Sequence, residues 1–193
     1  MVPAASPLKS MADVVKMLKE NPGKVSWGGG SAGGTDHILA GLIARAVGVD
    51  AARVNYVPYK GGGEAIAAIL GGHVTVGVSG IGEFAEQVKA GKMRALAQSS
   101  PSKLDGIASL KEQGIDVELG NWRGIFGAPG ITPQQRDALV KLVRDATETP
   151  AWKATLEKFG WTPVFLGGDD YAKFIEEDTR RIGAIVDSLG IKK

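Results

Sequence analysis

The chain has 193 residues, enough for one large domain or two small ones, and its 44% apolar and 23% charged residues give the balance of a soluble globular protein with a real core. Lysine and arginine number 23 against 21 acids, spread along the chain rather than gathered in a block, which argues against nucleic acid as a partner. Having no cysteine excludes disulfides, thiol nucleophiles and Cys-ligated metal centres, and His37 and His73 are too few for a histidine-rich metal site.

The opening VPAA reads as the end of a strand, and MVPAASPLKS shows no basic segment followed by an apolar one, so no secretory signal is visible. Ser10 to Glu20 carries Met11, Val14, Val15 and Leu18 at helical spacing. After the turn Asn21-Pro22-Gly23 the pattern alternates. Strands are predicted at Val25 to Trp27, Val54 to Val57, Val74 to Val78 and Arg94 to Gln98, and helices at Asp36 to Val47, Glu64 to Leu70 and Glu83 to Ala90. Such alternation implies an α/β fold with a mostly parallel sheet, whose ligands bind beyond the carboxyl ends of the strands.

The second half differs. A loop from Ser99 to Gly106 and a short helix near Ser109 to Gln113 lead to a predicted strand in DVELGNWRGIFG, Asp116 to Gly127. Thr132-Pro133-Gln134-Gln135 is a helix start, with Thr as N-cap and Gln reaching back, and Leu139, Leu142, Val143 and Ala146 are its expected buried stripe. A short helix follows Pro150, WTPVFL suggests a strand, and Asp169 or Asp170 is the expected cap of a last helix carrying Phe174, Ile175, Ile182, Ile185, Val186 and Leu189. No apolar run approaches the roughly 20 residues of a membrane span.

Three glycine-bearing loops fall at predicted strand ends and should converge on one cleft: Gly28 to Thr35, Tyr59 to Gly63, and Ser79 to Gly82. Gly28, Gly30 and Gly33 satisfy G-x-G-x-x-G, but Asp50 precedes the strand at Val54, whereas a ribose-binding acid would end it. No G-K-[ST] follows, so a P-loop is excluded. What remains is the anion-binding capacity of helix N-termini, repeated at Gly61-Gly62-Gly63. The candidate ligand-binding residues are therefore Gly30, Ser31, Gly33, Gly34, Thr35, Tyr59, Gly61, Gly62, Gly63, Ser79 and Gly80. The competing reading of the glycines is tight turns alone, and of Ser31 or Thr35 a helix cap. Arg123, on an otherwise apolar predicted strand, needs a partner, which a bound carboxylate or an internal acid could supply equally. Glu83 could turn into the last loop. His37 and His73 read as exposed and structural, and no serine has a His and acid pair signalled.

The segments VPAASPLKS, NPGKVSWGGGSAGG, VNYVPYKGGGEAIAAILGGHV, EQVKAGKMRALAQSSP, NWRGIFGAPGITPQQRDALV and EKFGWTPVFLGGDDYAKFIEED resemble the Bug-type solute receptors of tripartite tricarboxylate transporters, along the whole chain. VPYKGG followed by GGHV, and KAGKMRALA, are the most specific parts. The resemblance implies a type II periplasmic-binding-protein fold, with two α/β lobes joined by crossing strands and closing over an organic acid. By that likeness residues 6–117 are the second lobe, 118–193 a crossing strand with the C-terminal part of the first lobe, and 1–5 the other crossing strand. Family members begin with a signal peptide and most of the first lobe, so the chain is expected to be a fragment or to start internally, and to self-associate. The implied function is capture of a citrate-like di- or tricarboxylate in the periplasm for membrane permease subunits, with no catalysis, cofactor or metal. A Rossmann-like nucleotide-binding enzyme and a ligand-sensing domain on the same fold are the alternatives.

Overall fold

Residues 1–101 and 103–190 are described by a computed structural model. The chain divides into two compact units, Met1–Asn121 with Ile182–Lys193, and Trp122–Arg181.

In the first unit, β1 (Val2–Pro3) is followed by α1 (Met11–Glu20), whose N-cap Ser10 accepts from the Asp13 N–H while the Asp13 carboxylate accepts from that of Ser10. This reciprocal cap fixes the helix start where the apolar spacing begins. Then come β2 (Ser26–Gly29), α2 (Thr35–Ala46), β3 (Asn55–Pro58), α3 (Gly62–Leu70), β4 (Val76–Gly77), α4 (Ile81–Lys89) and β5 (Met93–Arg94). The expected alternation is present, with β2 and β3 beginning one residue later than predicted and β4 and β5 shorter than the apolar runs that signal them. β2 pairs in parallel with β3 on one side and β4 on the other, giving the order β3-β2-β4. β1 pairs antiparallel with β5. Met1 and Gly77 exchange both backbone hydrogen bonds, at 2.9 and 2.8 Å, which sets β1 beside β4.

The sheet is covered on both faces. Trp27, Val76 and Val78 join Val14 and Leu18 of α1 and Ala40, Ile43 and Ala44 of α2 in one core. Ile69 of α3 and Phe84 of α4 form another with Val74 and Met93. On that second face the sheet carries glycine. A Cβ on Gly77 would fall on the Ile69 side chain, which is fully buried. Gly77→Ala should therefore cost about 1–3 kcal/mol by overpacking, read as a lower urea midpoint at unchanged slope. The last helix, α7 (Gly168–Ser188), ends in this unit, where Ile185 and Leu189 pack with Ile38, Ala51 and Leu119.

The second unit holds α5 (Pro133–Glu148), α6 (Pro150–Phe159) and α7 through Arg181. The Thr132 and Gln135 capping box forms as its sequence predicts, and Thr149 caps α6. Four expectations fail here. Asp116 to Gly127 and Trp161 to Leu166 are not strands, because a strand needs a neighbour to pair with and neither stretch has one among the described residues. The α5 stripe is not buried, with Leu139 and Leu142 at 45% and 63% exposure. Asp169 and Asp170 lie inside the first turn of α7, where they offset its dipole rather than cap it. Trp122 organises the unit by donating from Nε1 to Asp178 at 3.1 Å and standing edge-on to Phe174 and Tyr171.

Candidate functional site

Because β2, β3 and β4 run parallel, the loops after Gly29, Pro58 and Gly77 leave the same edge of the sheet. The order β3-β2-β4 reverses direction at β2, so this edge includes a topological switch point between β2 and β4, where α/β sheets hold their ligands. The three loops touch. The Tyr59 N–H donates to the Gly29 carbonyl at 2.8 Å, and a Cβ on Gly62 would strike the Glu83 carboxylate of α4.

The first loop is tied to the helix it precedes. The Gly30 N–H donates to the Asp36 carboxylate at 2.8 Å, the Gly33 N–H to His37 Nδ1 at 3.1 Å, and the Gly34 N–H to the Ser31 carbonyl at 2.9 Å. From β3 the Tyr56 hydroxyl donates to the Gly30 carbonyl at 2.9 Å. Two glycines are required by this geometry. A Cβ on Gly29 would lie 2.6 Å from the Tyr56 hydroxyl and 2.8 Å from the Asp36 Cβ, and Gly33 has φ of 76°, which side chains rarely adopt. The amides of Gly30, Gly33 and Gly34, candidate donors on sequence grounds, are thus engaged within the loop. Those of Ser31, Thr35, Asp36 and His37 have no backbone or side-chain partner among the described residues.

The other two loops are more open. Gly61, Gly63 and Gly80 have open space where a Cβ would point. The Ser79 hydroxyl donates to Glu83 at 2.8 Å, so Glu83 does turn towards the loops. Glu64 accepts from the Lys60 N–H at 3.2 Å. Tyr59 is half-buried against the Ile69 and Phe84 core. All three helices that begin at this edge start on glycine, at Gly34, Gly61 and Gly80, with no side-chain cap. By contrast α1, α5 and α6 have side-chain caps. Three N-termini with unsatisfied donors therefore lie along one sheet edge.

Burial sets the charge states. It raises the Asp36 carboxyl above its usual range, opposed by the Gly30 N–H and reinforced by Glu83. It lowers His37, which is 8% exposed and stacked on Tyr56 at 4.3 Å, rather than exposed as its sequence position predicts. It pushes the Tyr56 phenol up, with the Asp36 charge adding to the effect, so that hydroxyl remains a donor. Asp36, His37 and Tyr56, which sequence reasoning passed over as binding elements, act through loop conformation, as does Glu83, whose inward turn the sequence analysis allowed for. Only the first-turn positions of Asp36, His37 and Glu83 hint at that.

Arg123 belongs to the second unit. It is exposed on irregular backbone, with Nη1 donating to the Trp122 carbonyl at 3.3 Å, so the desolvation that would demand a carboxylate partner is not there. Asp50 caps the turn before β3 through the Ala52 N–H and so precedes the strand, against the dinucleotide pattern. Among the described residues no helix is long and apolar enough to cross a membrane.

Comparison with known proteins agrees with this architecture. Residues 1–191 match the family model described as TctC, tripartite tricarboxylate transporter family receptor. A Cupriavidus necator protein, "UPF0065 protein in gbd 5'region", is 31% identical over the full chain, and Protein BugT of Bordetella pertussis is 28% identical over 96% of it. The chain spans 58% and 57% of their lengths. Among solved structures, "R. palustris Rpa4515 with adipate" superposes with a TM-score of 0.80 at 21% identity, covering 98% of this chain and 64% of that one. "MatC (Rpa3494) from Rhodopseudomonas palustris with bound malate" gives 0.75 at 18% identity, covering 96% and 64%. A third, described as a periplasmic transporter, gives 0.75 at 27% identity, covering 99% and 64%.

Proposed function

The chain belongs to the tripartite tricarboxylate transporter receptor family, and from that premise we propose that its first unit binds a carboxylate group of a small di- or tricarboxylate, citrate-like, at the three-loop edge of the sheet. The observation that carries this reading is the row of three glycine-started, side-chain-uncapped helix N-termini on that edge. An anion there accepts from free N–H groups and meets the positive ends of three helices. Ser31, Thr35, Gly61, Gly62, Gly63, Ser79 and Gly80 supply the donors, while Gly30, Gly33 and Gly34 hold the loop in shape and Tyr59 borders it. Binding, not turnover, is the role, with delivery from the periplasm to membrane permease subunits. The solved neighbours that carry adipate and malate are of the same ligand class.

A thermal-shift panel tests this. Citrate, malate or adipate at about 100 times its dissociation constant should stabilise the chain by about 2.7 kcal/mol, and NAD and ATP should leave the midpoint unmoved. A midpoint raised by NAD or ATP alone would replace the receptor reading with the nucleotide-binding one.

Charge placement offers a finer test. Gly63 has open space at its Cβ and lies in the first turn of α3. Gly63→Asp should leave folding stability equal or slightly higher, because an acid suits a helix N-terminus. It should weaken citrate binding roughly five- to tenfold through like-charge repulsion of about 1 kcal/mol. Glu83→Gln, which removes a carboxylate from the same loops, should tighten binding by a similar factor. Calorimetric affinities unchanged in both variants would remove the ligand from this edge.

A further inference from the structure

The glycine loop is held at two points that differ in their response to protons. At Gly30 the carbonyl accepts from Tyr56 and the N–H donates to Asp36. Burial keeps the Tyr56 phenol protonated, and a carboxyl group keeps an acceptor oxygen whether or not it carries a proton. At Gly33 the N–H has one acceptor among the described residues, His37 Nδ1. That bond requires the neutral ring with its proton on Nε2, because a protonated imidazole donates from both nitrogens. Uptake of a proton by His37 would face two donors against each other in a buried site, 8% exposed and walled by the Tyr56 ring at an interplanar angle of 11°. The ionisable groups around the pair are Tyr56 from β3, Asp36 beside it on α2, and Glu83 from α4, which bears on Asp36.

We propose that His37 is a proton-operated latch on the glycine loop: neutral, it fixes Gly33 and holds the loop in one shape, and protonated, it frees the Gly33 end while Asp36 and Tyr56 keep the Gly30 end anchored. His37 is a positioning residue here, since its ring nitrogen meets the loop backbone rather than any ligand. Resting on the proposed carboxylate site, the consequence is release of ligand on mild acidification, because the free amides of Ser31 and of the first turn of α2 lose their common orientation when the loop opens.

Nuclear magnetic resonance on the ligand-free protein tests the latch independently of any ligand. His37 should titrate below 6.5 and be in the Nε2–H tautomer when neutral. The Gly33 amide signal should shift with the His37 midpoint, and the opening free energy measured at this amide should fall by the equivalent of about fivefold faster exchange once the bond is lost. The Gly30 signal should move less. His37→Gln, whose amide oxygen can accept the Gly33 N–H without titrating, should abolish the pH step at Gly33. His37→Phe, which keeps the stacking on Tyr56, should leave Gly33 in its exchange-prone state at every pH. A Gly33 amide indifferent to the His37 titration in the unsubstituted protein overturns the latch, as does an Nδ1–H tautomer. Calorimetry with citrate then reads the consequence, as an affinity that falls with the His37 midpoint and loses that step in His37→Gln. If citrate fails to bind at any pH, the site assignment fails while the amide result stands by itself.

Discussion

The 193-residue chain acetylated at Met1 should be more stable than the free-amine chain by about 4 kcal/mol near pH 5, with the difference vanishing above pH 8. The Met1 nitrogen is shielded from water and donates to the Gly77 carbonyl at 2.9 Å, in the pair that sets β1 beside β4. An amide suits that place and an ammonium does not, since desolvation lowers the amine from 8.0 to about 5. Between those two values the unfolded chain carries a proton there that the folded chain does not, so stability rises with pH across the window. The penalty is complete below about 5 and absent above 8.0, and the gap is worth about 4 kcal/mol. His37, also lowered by burial, adds a slope of the same sign below 6.5, whereas Asp36, raised, adds the opposite slope above 3.8. Comparison of acetylated and free chains cancels both. Urea midpoints from pH 5 to 9 check the expectation, and two curves that run parallel across that range would show that the amine is solvated in the folded state.

The parts of the fold that sequence made legible are those whose cause is local. Helical spacing with Ser10 or Thr132 ahead of it places the starts of α1 and α5 to within a residue, because cap and periodicity are both encoded in about four positions. Alternating strand and helix patterns give β2, α2, β3 and α3 in order, and the parallel sheet follows from their short connections. What failed depends on partners that no local pattern names. The α5 spacing of Leu139, Leu142, Val143 and Ala146 announces an apolar face, but not whether anything covers it. The apolar run through Trp122, Ile125 and Phe126 has strand composition, yet pairing is a property of two segments. The candidate site shows the same division. That glycine loops stand at strand ends could be read directly, whereas the engagement of Gly30 and Gly33 with Asp36 and His37 could not. That pattern exists only once the loop has turned back on its helix, which the φ of 76° at Gly33 permits.

The second unit carries the other large expectation, that the 193-residue chain sediments at twice its 20.1 kDa or more. From Trp122 to Arg181 not one residue is buried, so these 60 positions have no core of their own despite three well-formed helical segments. Among the described residues, nine of the ten most exposed large apolar side chains are found here, including Ile125, Phe126, Leu142 and Val164, each more than 60% exposed. Covering such a side chain contributes about 1.5–3 kcal/mol, and an apolar surface this dense on a free chain marks an interaction face. For the 193-residue chain taken alone, a second copy is what can cover it. Leu142→Glu together with Val164→Glu adds two charges at positions 63% and 69% exposed and outside the first unit, so that unit should keep its stability while the assembly dissociates to 20.1 kDa. Hydrogen exchange should follow the same division. Amides of β2, β3 and α2 should remain protected in the variant, and those of α5 and α6 should lose protection on dissociation, because a helix without tertiary contacts on its apolar face is marginal in water. A monomer with α5 and α6 fully protected would mean that the unit is stable without a covering partner, and the self-association expected from its exposed side chains would be wrong.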